Sequence, residues 1–277
     1  MNGGPESLNW TSTGNDILGR ACEYYGGERT WRALRLIRLV PEGLTGMLPW
    51  VKGAGKTFRL PSVFEIAPHE RQTRFLDYPD ADHTGVFDNG AVRIERRDGQ
   101  VVLAAAEHRR SFRGFAAYRR WSPLDALYFF GYALSHYHSL PFTLSDARLV
   151  TAKPASPRRP LDVLDVELPD DLPTHSRRQT FYFDKSGRLV RHDYHAEIVG
   201  AWARGAHFWK RQTSCNGFPI SMERLVVGRL GKTPYPLTAL YATFAGAEVE
   251  LDFSGAAPAP SGRQNDGCPR SSFDGPG

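Results

Sequence analysis

The stretch Arg177-Arg178-Gln179-Thr180-Phe181-Tyr182-Phe183-Asp184-Lys185-Ser186-Gly187-Arg188-Leu189-Val190-Arg191-His192-Asp193-Tyr194-His195-Ala196-Glu197-Ile198-Val199 decides the fold. Two runs rich in aromatic and β-branched side chains flank Lys185-Ser186-Gly187, three residues suited to a tight turn. Such side chains favour a pleated, half-buried surface. The pattern predicts strands over residues 177–183 and 189–199, joined as an antiparallel hairpin. In the second strand, alternation puts Arg191, Asp193, His195 and Glu197 on one face and His192, Tyr194, Ala196 and Ile198 on the other. The charged ladder then faces water. The functional alternative places Asp193 and His195 in a cavity as a carboxylate–imidazole pair, where burial tunes a pKa. His207, with Trp209 and Arg211 on the following strand, poses the same choice.

Outward from this hairpin the same period recurs. Downstream, strands are predicted over residues 202–213, 222–228, 238–244 and 248–253, and upstream over 147–151 and 161–168. Earlier still, from Leu34, short strands are predicted over 43–51, 57–60, 63–67, 72–78, 84–87, 92–96 and 100–103. Asn89-Gly90 and Asp98-Gly99 supply hairpin turns among them. Two helices precede the strands, over about 15–25 and 28–34. The first is capped by Thr13 or Asn15 and stopped at Gly26-Gly27.

A helical insert over about 104–138 splits the strand series. Residues 104–113 read as helical. Ser122-Pro123-Leu124-Asp125 carries an N-cap, a proline at the first helical position and an acid at the third. The helix ends before Pro141, which disfavours helix in the residue preceding it. The expected organisation is a flexible segment 1–14, a single β domain over 15–253 and a disordered, Gly/Pro/Ser-rich tail over 254–277. The fold class is mainly β: one large antiparallel sheet around an apolar cavity.

At 100° per residue, Leu127, Phe130, Ala133, Leu134 and Tyr137 form one face of the insert helix, and Asp125, Phe129, Tyr132 and His136 the other. His138 falls at the edge of the apolar face. The plain reading is a core helix whose histidines serve its last turn. The functional reading puts Tyr132, His136 or His138 on a cavity wall, as proton carriers. With Asp193 and His195 these are the candidate catalytic residues. Trp50, Tyr128, Phe129, Tyr194, Trp202 and His207 are the candidate ligand-binding residues.

Composition narrows the class. The formal charge of +5 is small for 277 residues and the acids are interleaved, so no nucleic-acid patch is expected. No apolar run approaches the ~18 residues of a membrane span. The N-terminus lacks a signal-peptide pattern. Cys22, Cys215 and Cys268 form no CxxC pair, so reduced thiols and a cytoplasmic setting are expected. His192 and His195 fall on opposite strand faces, so no metal site is expected. Gly53-Ala54-Gly55-Lys56-Thr57 is read as a turn, since Trp50 stands where the phosphate loop needs its first glycine. Asp80 and Asp82 lack the distal glutamate of a calcium loop. No nucleophile elbow or dinucleotide fingerprint is present, and no cofactor is expected.

Phe181-Tyr182-Phe183-Asp184, Gly187-Arg188-Leu189-Val190-Arg191-His192-Asp193-Tyr194, Gly200 and Ala206-His207-Phe208 resemble an uncharacterised bacterial family, frequent in actinobacteria, with an FYFD-x-x-GLLRRHDY run. Tyr128-Phe129-Phe130-Gly131-Tyr132-Ala133 and Pro141-Phe142 are similar to its central helix. The chain departs from the pattern at Arg188 and around Pro219 to Arg224. The family's strand–helix–strand order resembles the lipoprotein-localisation-factor architecture, which implies a half-open barrel with helices plugging its concave face. Two functions from different classes follow. One is a cofactor-independent acid–base enzyme of cyclase or isomerase type, acting in small-molecule biosynthesis. The other is a non-catalytic carrier of a lipid-like ligand. Both need an apolar small-molecule partner, and neither determines an oligomeric state.

Overall fold

The computed structural model describes residues 10–53 and 57–254. Helices α1 (Ser12–Tyr24) and α2 (Gly27–Ala33) lead into β1 (Leu34–Thr45) and a short helix α3 (Met47–Lys52). Five strands follow: β2 (Val63–Ala67), β3 (Gln72–Leu76), β4 (His83–Asp88), β5 (Ala91–Arg96) and β6 (Val101–Ala105). Two 3-10 turns, His108–Phe112 and Gly114–Tyr118, precede helix α4 (Pro123–Ser139), and a third, Phe142–Asp146, follows it. The remaining strands are β7 (Arg148–Lys153), β8 (Asp162–Glu167), β9 (Arg178–Phe183), β10 (Leu189–His195), β11 (Arg204–Cys215), β12 (Phe218–Leu230) and β13 (Thr233–Leu251).

All thirteen strands form one antiparallel sheet in the order β6-β5-β4-β3-β2-β1-β13-β12-β11-β10-β9-β8-β7. Two consecutive meanders are thus fused through the single pair β1 and β13, with Ile37 opposite Val249 and Leu39 opposite Ala247. The sheet does not close. It curves into a half-barrel, and the chain from edge strand β6 to edge strand β7 crosses the interior as the helical insert.

Helix α4 is held as its sequence foretells. Ser122 is the N-cap: its Oγ accepts from the Asp125 amide, and the Asp125 carboxylate accepts from the Ser122 amide at 2.7 Å. Asp125 is fully buried and also accepts from Arg119 and from His108 at 2.9 Å, which holds its carboxyl far below the usual range despite burial. From Asp125 to Ser139 every residue except Phe130 is buried. A helix covered on all sides lies inside a protein rather than on it. It packs on β2–β5. Gly131 permits the closest approach, since a Cβ there would stand 2.3 Å from the Phe87 Cβ, and Thr73 Oγ1 donates to the Gly131 carbonyl at 3.1 Å.

Several expectations are corrected. Residues 43–51 do not form one strand: β1 stops at Thr45, Gly46 adopts φ +115°, and α3 begins. Pro49 lacks a donor and suits a first helical turn better than a sheet. Residues 57–60 form a turn, not a strand. Residues 104–113 are not α-helical; β6 runs to Ala105 and a 3-10 turn begins at His108. The segments 238–244 and 248–253 are one strand, because Gly246 stays in the ladder opposite Val40. Helix α1 starts earlier than expected, with Thr11 as N-cap accepting from the Gly14 amide at 3.2 Å. Cys215 is disulfide-bonded, against the expectation of reduced thiols, whereas Cys22 is free. The expected flexible residues 1–9, the tail from 255 and the turn residues Ala54 to Lys56 lie outside the described residues.

Candidate functional site

Because α4 leans on β2–β5, it leaves space between itself and the far wall of the half-barrel. That space is an apolar cavity with a free volume of about 120 Å³. One wall is the α4 stripe Ala126, Phe129, Phe130, Ala133, Leu134 and Tyr137, spaced three and four apart as one helix face requires. The opposite wall comes from β1, β12 and β13, through Leu44, Val226, Leu240 and Phe244. Trp202, 45% exposed, and Leu237 stand at its mouth.

Few polar groups reach this apolar wall, and they converge. Arg224, His207, Tyr137 and Tyr194 line the cavity and are all buried. The Arg224 Nη2 donates to His138 Nε2 at 3.3 Å, and its guanidinium lies over the rings of Trp209 and Tyr137, at 4.1 and 5.1 Å. Its Nε and Nη1 find no hydrogen-bond partner. Burial lowers its pKa to about 10. His207, packed against Trp209 and edge-on to Tyr137, leaves both ring nitrogens unpartnered.

Behind the wall lies a chain of hydroxyls and imidazoles. Tyr132 Oη is 2.8 Å from His175 Nδ1, Tyr137 Oη is 2.6 Å from His175 Nε2, and Tyr137 donates to Tyr194 Oη at 3.4 Å. A neutral imidazole carries one donor and one acceptor. The consistent polarity therefore runs from the Tyr132 hydroxyl to Nδ1, from Nε2–H to Tyr137 and from Tyr137 to Tyr194. Gln179 donates to Thr174 Oγ1 and the Ser176 carbonyl, both at 2.7 Å, which turns its Oε1 toward His192 Nε2. Burial drives the pKa values of His175, His192 and His207 well below the ordinary value. It lowers His136 to about 4, and burial with the Arg224 charge lowers His138 to about 3. All five are neutral at physiological pH. Burial likewise raises Tyr132 and Tyr137 far above 10 and Tyr194 to about 12.

The structure distributes the predicted residues unevenly. Phe129, Tyr194, Trp202 and His207 line the cavity. Tyr128 is buried elsewhere, against Phe87, His108 and Phe112, and Trp50 projects from α3 with 79% of its surface exposed. Tyr132 stands one hydrogen bond behind the wall, at His175. His138 is buried, its Nδ1 2.8 Å from the Leu134 carbonyl, so Nδ1 donates and Nε2 is the acceptor for Arg224. His136 lines a separate polar pocket of about 340 Å³ with Ser135 and Ser139. Asp193 is bound by Arg191 through two contacts of 2.7 Å and by Tyr182 at 3.1 Å, while His195 reaches the Gly200 carbonyl at 3.0 Å. The two do not pair with each other; the ladder of Arg191, Asp193 and His195 is turned away from Tyr194 and the cavity.

Tyr137, Arg224 and His175 escaped the sequence reading. Tyr137 was hidden in an apolar helical stripe, and Arg224 carried a signal only as a departure from the family pattern. His175 sits in an irregular loop where no periodicity speaks. Among the described residues, no group of three histidine, cysteine or acidic side chains is placed to hold a metal, and no helix is long and apolar enough to cross a membrane.

No protein-family model and no curated protein matches the chain. Among solved structures, it is similar to a LolA superfamily protein from Nitrosomonas europaea, at 8% identity and TM-score 0.42, over 86% of this chain and 94% of that one. It is also similar to a DUF1329 family protein from Desulfovibrio piger, at 11% identity and TM-score 0.38, over 90% and 96%.

Proposed function

We propose that this chain binds an apolar small molecule between α4 and the β1–β12–β13 wall. The observation that carries the reading is a concave, apolar cavity on which a few buried polar groups converge, the usual form of a small-molecule site. Its free volume of about 120 Å³ is close to that of an engineered cavity of about 150 Å³ that admits benzene. A ring or short chain fits inside, and a longer body extends past Trp202 and Leu237. Titration with a neutral apolar probe, followed by tryptophan fluorescence, tests this. The wild type is expected to bind at micromolar concentration. Ala239→Trp, which projects bulk from the β13 wall, is expected to weaken binding at least tenfold without lowering the melting temperature. A wild type that refuses every apolar probe sinks the reading.

A second reading, a cofactor-independent enzyme of cyclase or isomerase type, is favoured by the Tyr132–His175–Tyr137 chain that ends at the cavity wall. Such a chain can hand a proton to or from a bound molecule. Tyr137→Phe would then abolish turnover of an identified substrate while leaving its affinity within a few-fold. Unchanged turnover in that variant rules the relay out.

A further inference from the structure

The cavity holds a charge without a counter-ion. Arg224 is 3% exposed, its Nη2 goes to a histidine rather than a carboxylate, and its Nε and Nη1 have no hydrogen-bond partner among the described residues. Its own neighbour Glu223 points to the other face of β12 and pairs with Arg211 at 3.0 Å. The tyrosines close enough to act on it, Tyr25, Tyr137 and Tyr194, are held neutral by burial. His138 can offer only its Nε2 lone pair, because Nδ1 is committed to Leu134. Stacking on Trp209 and Tyr137 offsets only part of the penalty for burying one ion. Arg224 is among the residues that line the cavity.

The donor inventory says what would fill it. A guanidinium has five N–H groups, four of them on two two-donor edges, and Nη2 contributes one hydrogen to each edge. Since His138 takes a single Nη2 hydrogen, one complete edge remains whichever hydrogen is used. His207, two residues from Trp209 on the same face of β11, adds one further N–H on the same cavity. A planar anion matches such an edge in bidentate fashion. Charge balance selects among anions: a monoanion neutralises the site, whereas a phosphate monoester leaves a buried negative excess.

Resting on the reading of this cavity as a ligand site, we infer that the ligand carries a single carboxylate, which Arg224 receives on its free edge, His207 donating alongside and His138 positioning the guanidinium. The apolar stripe of α4 takes the rest of the molecule. The ligand class is therefore a small amphipathic carboxylic acid.

Isothermal titration of the full chain with octanoate, octanol and octyl phosphate tests this. Octanoate is expected to bind at least tenfold tighter than octanol and tighter than octyl phosphate. Arg224→Met is expected to erase the preference for octanoate while leaving octanol affinity within threefold; Arg224→Gln serves the same comparison should the methionine variant misfold. Equal binding of octanoate and octanol by the wild type overturns the carboxylate assignment and leaves the cavity reading standing. Tighter binding of octyl phosphate overturns it in favour of a phosphate ligand. Binding of none of the three overturns both.

Discussion

Trp209 and Arg224 are cross-strand partners on β11 and β12, and the guanidinium carbon of Arg224 lies 4.1 Å from the indole centroid. The register therefore sets a charge on an aromatic floor inside the half-barrel. Alternation places His207 on the same face and Glu223 on the opposite one, so the strand pair itself separates the arginine from the acid next to it in sequence.

A buried charge without a partner is a liability in the empty protein. Arg224→Met, close in length and neutral, is expected to leave the ligand-free melting temperature unchanged or to raise it by a few degrees, as measured by calorimetry. A fall of more than about 5 °C, equivalent to roughly 1–2 kcal/mol in a domain of this size, would show the stacked guanidinium to be a net structural support.

Asp125 gathers the α4 cap, His108 and Arg119 onto one fully buried carboxylate. Asp125→Ala leaves the imidazole and the helix N-terminus without their acceptor, and is expected to destabilise by about 3 kcal/mol. Ser122→Ala removes only the cap hydroxyl and is expected to lower stability by about 1 kcal/mol. Urea unfolding of the two variants side by side checks the order as well as the sizes.

Gly131 fixes how closely α4 approaches β4. Gly131→Ala puts a methyl group 2.3 Å from the Phe87 Cβ, deep in the core, where neither backbone can yield easily. Despite alanine's better helix propensity, overpacking is expected to cost about 1–3 kcal/mol. A melting temperature equal to the wild type would mean that α4 can slide away from the sheet.

The buried histidines predict acid sensitivity. An unfolded histidine takes up its proton near pH 6.5. Folded His136 resists until about pH 4 and His138 until about pH 3, with His175, His192 and His207 also strongly depressed. Between these limits the unfolded chain binds more protons than the folded one, so stability falls as pH falls. Each such group contributes a slope of up to roughly 1.4 kcal/mol per pH unit. Denaturant midpoints measured from pH 7.5 to 4.5 are expected to be flat above about 7 and to drop steeply below about 6.5. His175→Gln, which keeps a hydrogen-bonding side chain but does not titrate, is expected to make that slope shallower.

Much of the fold was written in local patterns. The hairpin around Lys185-Ser186-Gly187 needs only alternation and a turn, and the sheet pairs Arg191 with Tyr182 and His192 with Phe181 accordingly. The start of α4 needs only Ser122, Pro123 and Asp125, and the cap forms as their spacing requires. Local signals misled where a neighbour distant in sequence intervenes. Gly246 reads as a break between strands, yet β1 continues the ladder past it. The apolar stripe on α4 reads as a face turned to the core, yet its members Phe130, Ala133, Leu134 and Tyr137 line the cavity, and only Leu127 turns to the sheet at Gly85.

The sequence alone determined that strands alternate, where they turn, and where the central helix begins, because those properties depend on residues two to four positions apart. Only the tertiary structure decided which face of each strand is concave and which side of α4 the sheet leaves uncovered. It also brought Arg224 to His138, 86 positions away, and His175 to Tyr132 and Tyr137. These follow from the curvature of thirteen strands and from the single β1–β13 seam, which are properties of the whole open sheet and of no short segment within it.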